Sequence, residues 1–311
     1  MNKILLYHPD RYSIIRSVAH FEKLWDQHFT REPIDFSRSY DPAQYIITVP
    51  YDQYTTDNWF KPYIEQGFKL VVENLWDNDI TVASTATDQV LMLRAANWSW
   101  FNEALWYIHL GYDKVAVKRQ HDKFFLSMMR LTRPHRDQIL ENVQAYLSDS
   151  LYSYTSKGIM LPNDYLVDND VEQRYINPTW FESTAFSLVS EASVRNPTFM
   201  SEKTFKPIAF QHPFVVWGSP GTLAYLRKSG FETFNHAINE SYDTIIDNAD
   251  RLTAITKVVD ELHRNFKQGQ LFTDTISQEK IAHNRHHFYN KTMLIKMFNR
   301  EVIEPILEFI Q

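Results

Sequence analysis

Short apolar runs alternate with longer mixed segments along the whole chain. Eight runs of four to six residues read as strands: Ile4–Tyr7, Tyr45–Val49, Lys69–Glu73, Gln89–Arg94, Phe124–Met128, Gly158–Leu161, Phe186–Ser190 and Phe214–Gly218. They are mostly apolar rather than alternating, the pattern of parallel strands covered on both faces. Between them, helical spacing runs over Arg133–Ser148, Ser201–Gln211, Gly221–Ser229 and Asp243–Asn265, and an amphipathic stretch over Met293–Ile310 contains Pro305. This alternation predicts an α/β fold with open sheets.

The polar stretch Val117–Lys123 separates two such series. It predicts an N-terminal domain over 1–118, a second domain over 119–282 and a helical segment over 283–311. A length of 311 residues suits two domains of roughly 150 each. The acidic stretch Asp164–Arg174 reads as a surface loop. Net charge is −6, which argues against a general polyanion binder but leaves room for a local basic rim of Lys114, Lys118, Arg119 and Lys123. Cysteine is absent, which excludes disulfides and thiolate chemistry and fits a cytoplasmic protein, in the host cytoplasm if the source is viral. The first residues read as a strand rather than a signal peptide, and no run of about 18 apolar residues is present to span a membrane.

Candidate chemistry concentrates between Phe186 and Gly221. Glu191 follows a buried strand, and Ser201-Glu202-Lys203 opens a helix before the next strand. A carboxylate there can hold ribose hydroxyls, and an ammonium with a helix N-terminus can hold phosphates. The alternative for Glu202 is an ordinary first-turn acid beside the cap Ser201, and for Glu191 a loop acid binding backbone amides. Gly218 and Ser219, in the tight turn after the last strand, are further donor-binding candidates. Arg130, Arg133 and Arg136 flank a strand-to-helix turn with Pro134 in the first helical turn, and a guanidinium fork suits phosphate. Their alternative is ion pairing with Asp137 or Glu141.

In the first half, Glu73, Asp77 and Asp79 follow a strand and are candidate general bases, as are His8, Asp10 and Asp52. Asn97, Trp98 and Trp100 either line an acceptor groove or pack in the core. His283, His286 and His287 have a spacing that suggests metal, but no acids or cysteines complete a site, so they read as a helix face and no metal is expected. No P-loop, GxGxxG or GxSxG motif occurs.

The stretch from Phe124 to Phe234 resembles GT-B glycosyltransferases, and within them the fucosyltransferase-like pattern. There a strand leads to an F-E-N-S-like tetrad, then to a T-E-K-L helix and a short apolar strand. Here these are Ser190-Glu191-Ala192-Ser193, Ser201-Glu202-Lys203-Thr204 and Phe214–Trp217, with Arg136 matching an upstream arginine. The Ser201–Phe210 stretch is also similar to uncharacterised proteins of large-genome phages and viruses. The resemblance implies two Rossmann-like domains facing a cleft, with a C-terminal helix crossing back. It implies a donor site of Arg136, Glu191, Glu202 and Lys203, and an acceptor and base in the first domain. The expected activity is transfer of a sugar from a nucleotide-sugar to a hydroxyl of a glycan or of a hydroxymethylated base in viral DNA. No metal or other cofactor is expected, since Arg136 and Lys203 can take the leaving-group charge. Ala192 stands where the tetrad has Asn. The alternative is a non-catalytic nucleotide-binding or assembly protein on the same scaffold.

Overall fold

The computed structural model describes residues 4–9, 22–73, 84–95, 98–118, 120–162, 175–195 and 200–311. The chain forms two compact units, Met1–Phe101 with Lys291–Gln311, and Asn102–Asn290. The chain passes between them inside the helix Trp98–His109 and again between the helices Thr275–Phe288 and Lys291–Phe298. The polar pattern places these passages later, at 118/119, and earlier, at 282/283.

The first unit holds a six-stranded sheet of order β2-β1-β3-β4-β6-β5. Its strands are β1 (Ile4–Tyr7), β2 (Thr30–Pro33), β3 (Tyr45–Pro50), β4 (Lys69–Glu73), β5 (Thr85–Ala86) and β6 (Val90–Leu93). Every pairing is parallel except β5 with β6. The centre is β3 and β4, apolar runs buried almost throughout. Strand β2 is a charged edge, Thr-Arg-Glu-Pro, ended by Pro33, and no apolar run announces it. The segment Lys291–Gln311 packs on this unit. The ring of Phe298 lies edge-on to Trp25 at 5.2 Å and to Phe101 at 6.0 Å, and Lys69 Nζ donates to the Phe309 carbonyl. Pro305 lies inside a continuous helical run, directly after a π-helical turn over Asn299–Ile303 that leads into Glu304–Ile310, a local widening of the kind that goes with a proline in a helix.

The second unit holds a four-stranded, all-parallel sheet of order β10-β9-β7-β8. The strands are β7 (Lys123–Met129), β8 (Leu151–Tyr154), β9 (Thr184–Ser190) and β10 (Phe214–Trp217). The helices that matter here are α1 (Pro134–Asn142), α2 (Glu202–Ala209), α3 (Thr222–Lys228), α4 (Asn248–Lys267) and α5 (Thr275–Phe288). The expected strand at Gly158–Leu161 is replaced by β8. A 3₁₀ turn over Thr155–Lys157 and Gly158 at φ +75° reverse the chain, and Ile159 makes only an isolated antiparallel bridge back to Tyr154. The expected helix Arg133–Ser148 ends at Asn142 and continues as a 3₁₀ turn, Gln144–Asp149. Among the described residues no helix is long and apolar enough to cross a membrane.

The molecule is thus α/β, with a largely parallel sheet in each unit. In the second unit, parallel pairing of β7, β9 and β10 sets their carboxyl ends side by side. The loops leaving those ends carry the candidate residues.

Candidate functional site

Arg130 and Arg133 follow β7, Glu191 follows β9, and Gly218 and Ser219 follow β10. Arg136 lies in the first turn of α1, and Glu202 and Lys203 open α2. All eight donor-site candidates therefore lie at or next to the carboxyl edge of one parallel sheet, where open α/β folds bind ligands.

The α2 start is built on Glu191. This residue is fully buried, yet its carboxylate accepts four hydrogen bonds. Ser201 N–H at 3.0 Å and Thr204 Oγ1–H at 2.6 Å reach Oε1, while Ser201 Oγ–H at 2.6 Å and Ala192 N–H at 3.2 Å reach Oε2. Ser201 Oγ in turn accepts from Lys203 N–H at 3.4 Å as the cap of α2. Two backbone amides and two hydroxyls thus tie the loop after β9 to the start of α2 through this carboxylate.

Glu202 and Lys203 pair with each other at 2.6 Å, each side chain less than a fifth exposed. Burial alone pushes the Glu202 carboxyl up, but Lys203 and then Lys206 overcome it and hold the group well below the usual carboxylate range. Glu202 is therefore an ionised acceptor at neutral pH.

Arg136 is 2% exposed. Its Nη1 donates to the Leu131 carbonyl at 2.7 Å and its Nη2 to the Glu191 carbonyl at 3.4 Å. Burial lowers its pKa, and neighbouring Arg133 lowers it further. Asp137 is not the partner of these arginines. It accepts from Lys157 at 2.6 Å and from the Tyr154 hydroxyl at 2.9 Å. Neither Arg133 nor Arg136 forms an ion pair among the described residues, and the Nε of each is buried without a hydrogen-bond partner. The hydroxyls of Ser190 and Ser219 are buried and unpartnered at the same edge. Two guanidinium groups outside any ion pair among the described residues, beside unused donors, make this edge fit an anion.

Two further residues build the site, His135, which stands among the arginines of the turn after β7, and Arg251. His135 Nε2 donates to the Glu191 carbonyl at 2.8 Å, and burial lowers its pKa, so the ring is neutral at pH 7. Arg251, 1% exposed, lies over the Trp217 ring at 5.1 Å and donates to the carbonyls of Val194, Ile245 and Ile246. It fixes the loop after β9 from a distant helix. Its only local signal is a place in the first turn of α4 beside the cap Asp247.

In the first unit, Glu73 closes β4 and is 4% exposed. Asp77, Asp79, Asp10, Asn97 and Arg119 lie outside the described residues, as do the Asp52 side chain and the whole acidic stretch Asp164–Arg174. His8 packs against the rings of Phe36 and Trp59. Trp98 and Trp100 are core residues, 1% and 3% exposed. Lys114 and Lys118 are exposed and Lys123 partly so. His283 and His287 stack at 5.7 Å, and their Nε2 atoms reach the carbonyls of Gly230 at 2.9 Å and Ser229 at 2.7 Å. Among the described residues no group of three or more metal-ligating side chains occurs.

No family model matches the chain, and no curated protein matches it. Among solved structures it is similar to an alpha1,3-fucosyltransferase with GDP-fucose, at a TM-score of 0.44 and 12% identity, covering 94% of this chain and 90% of that one. An alpha1,3-fucosyltransferase structure with GDP gives 0.45 and 13%, covering 94% and 92%. The strand order and side-chain contacts carry the fold and the site; likeness of this degree adds no argument to them.

Proposed function

We propose that the chain is a glycosyltransferase that takes its sugar from a nucleotide-sugar bound at the carboxyl edge of the second unit's sheet. The observation that carries this reading is a pair of arginines, Arg136 buried and Arg133 partly so, neither in an ion pair among the described residues, beside the Glu202–Lys203 pair. The donor diphosphate needs cations and N–H donors, and Arg133, Lys203 and the α2 N-terminus supply them. Arg136 lies deeper and raises the local positive potential. Ionised Glu202 accepts hydrogen bonds from ribose hydroxyls. The Gly218-Ser219 turn brings the backbone and an unused hydroxyl to the same place.

In the reaction, the acceptor oxygen forms a bond to the anomeric carbon as the bond from that carbon to the diphosphate oxygen breaks. The electron pair leaves with the nucleoside diphosphate, whose growing charge is met by fixed cations rather than a metal. The acceptor's proton passes to a carboxylate of the first unit, for which Glu73, Asp77 and Asp79 are the candidates. The acceptor is a glycan or a hydroxymethylated base of DNA. A DNA acceptor would bind with a steep salt dependence, and a neutral glycan would not.

The test is a thermal-shift series of the protein and its Lys203→Ala variant with UDP, GDP, CMP, dTDP and ADP and their sugar conjugates. Ligand at about 100 times its Kd stabilises the native state by about 2.7 kcal/mol. One nucleotide family should raise the melting temperature, and the variant should lose most of that rise. Silence across the whole panel sinks the reading, and binding without any turnover of the conjugate sinks the enzymatic part of it.

A further inference from the structure

We propose that Glu191 is a positioning residue that sets the donor-binding loops, and that its carboxylate never touches the donor; this rests on the glycosyltransferase reading. The side chain is fully buried, and both oxygens are occupied by donors of the protein. The residue joins three loops at once. Its carboxylate holds Ser201 and Thr204 at the start of α2, which carries Glu202 and Lys203. Its N–H donates to the Trp217 carbonyl at 3.0 Å, fixing the end of β10. Its carbonyl accepts from His135 and Arg136 at the start of α1.

The α2 start depends on this clamp more than an ordinary helix would. Pro207 lies inside α2 and has no N–H to return to the carbonyl of Lys203, so the turn bearing Lys203 lacks one helical bond. Glutamine cannot replace the acid here. Each oxygen accepts from one backbone N–H, of Ser201 or of Ala192, and a backbone amide cannot reverse its role. Whichever way the amide is turned, an N–H₂ group faces an N–H.

The experiment measures two things on wild type, Glu191→Gln, Thr204→Val and the double variant. One is the Kd for the nucleotide found in the thermal-shift series. The other is amide hydrogen exchange over residues 201–206. Thr204 is fully buried and takes no part in the proposed donor contacts, so Thr204→Val probes the clamp from its far end. Both single variants should weaken nucleotide binding by about tenfold and speed exchange at the α2 start by about tenfold. The double variant should fall short of the sum of the two, as coupled partners do. If Thr204→Val leaves Kd and exchange unchanged while Glu191→Gln loses binding, the acid is a direct ligand and the positioning role is overturned. Unchanged Kd in both variants, with wild-type binding intact, overturns it too. A wild type that binds no nucleotide overturns the donor reading itself. If Glu191→Gln fails to fold, Thr204→Val alone still decides the question.

Discussion

At the scale of single residues, Gly230 and the His287 ring of α5 show how local chemistry sets stability. Gly230 has φ +89°, and a Cβ there would stand 2.7 Å from His287 Nε2. That nitrogen already donates to the Ser229 carbonyl. Gly230→Ala should therefore strain the backbone and displace the ring, at a cost of about 1–3 kcal/mol. A denaturant midpoint equal to that of wild type would refute this. His287 also bears on pH. Burial lowers its pKa below the ordinary 6.5, and burial does the same to His135. The unfolded chain then binds more protons than the folded one between the lowered values and 6.5. Stability is full above pH 6.5 and falls as pH drops from there through the folded values. Unfolding free energy measured from pH 7.5 to 5 should decline, and His287→Gln should flatten the slope; an unchanged slope would remove His287 from the account. Residue types in this chain were readable without their partners. Glu191 stood out in the sequence as an acid beyond a buried strand. Its role as clamp depends on Ser201 and Thr204, which only the fold brings to it.

At the scale of elements, two of the three helices behind the site loops, α2 and α3, start on a buried acid. Glu191 does this for α2, and Asp243 does it for α3, accepting from Leu223 N–H and Ala224 N–H, both at 2.9 Å. Asp243 is 3% exposed and its own carbonyl accepts from Gly221 N–H. Asp243→Ala should leave two N–H groups unpaired and cost about 1–2 kcal/mol. Asp243→Asn keeps one acceptor and should cost less. Equal stability of both variants and wild type in urea melts would show that the cap contributes nothing. The apolar cores of β3, β4, β7, β9 and β10 were legible because a parallel strand buried on both faces is a continuous apolar run. Strand β2 was not, since an edge strand is free to be charged. Strand β8 was hidden because Leu-Tyr-Ser-Tyr is half polar and a more apolar run, Ile159-Met160-Leu161, follows after four residues. Capping by a residue far along the chain leaves no local pattern, so Asp243 was read as part of a helix it precedes.

At the scale of the molecule, the last 21 residues, Lys291 to Gln311, belong to the first unit although the whole second unit separates them from it in sequence. Their amphipathic spacing announces a helix but not the surface it covers. Leu294, Phe298, Val302, Ile306 and Phe309 are buried there, and Phe298 meets Trp25 and Phe101. Five apolar side chains at about 1.5–3 kcal/mol each come to about 10 kcal/mol. Net domain stability is about 5–15 kcal/mol, so losing this segment is comparable to losing the fold of the first unit. The second unit keeps its sheet and its helices without it. A chain ending at Asn290 should therefore lose amide protection in β3 and β4 while β7 and β9 stay protected. Limited proteolysis of the same chain should cut within the first unit and leave fragments from 102–290. Protection of β3 and β4 equal to that in the full chain would mean that the first unit's core closes without its C-terminal cover, and that the burial arithmetic overstates what those five side chains contribute.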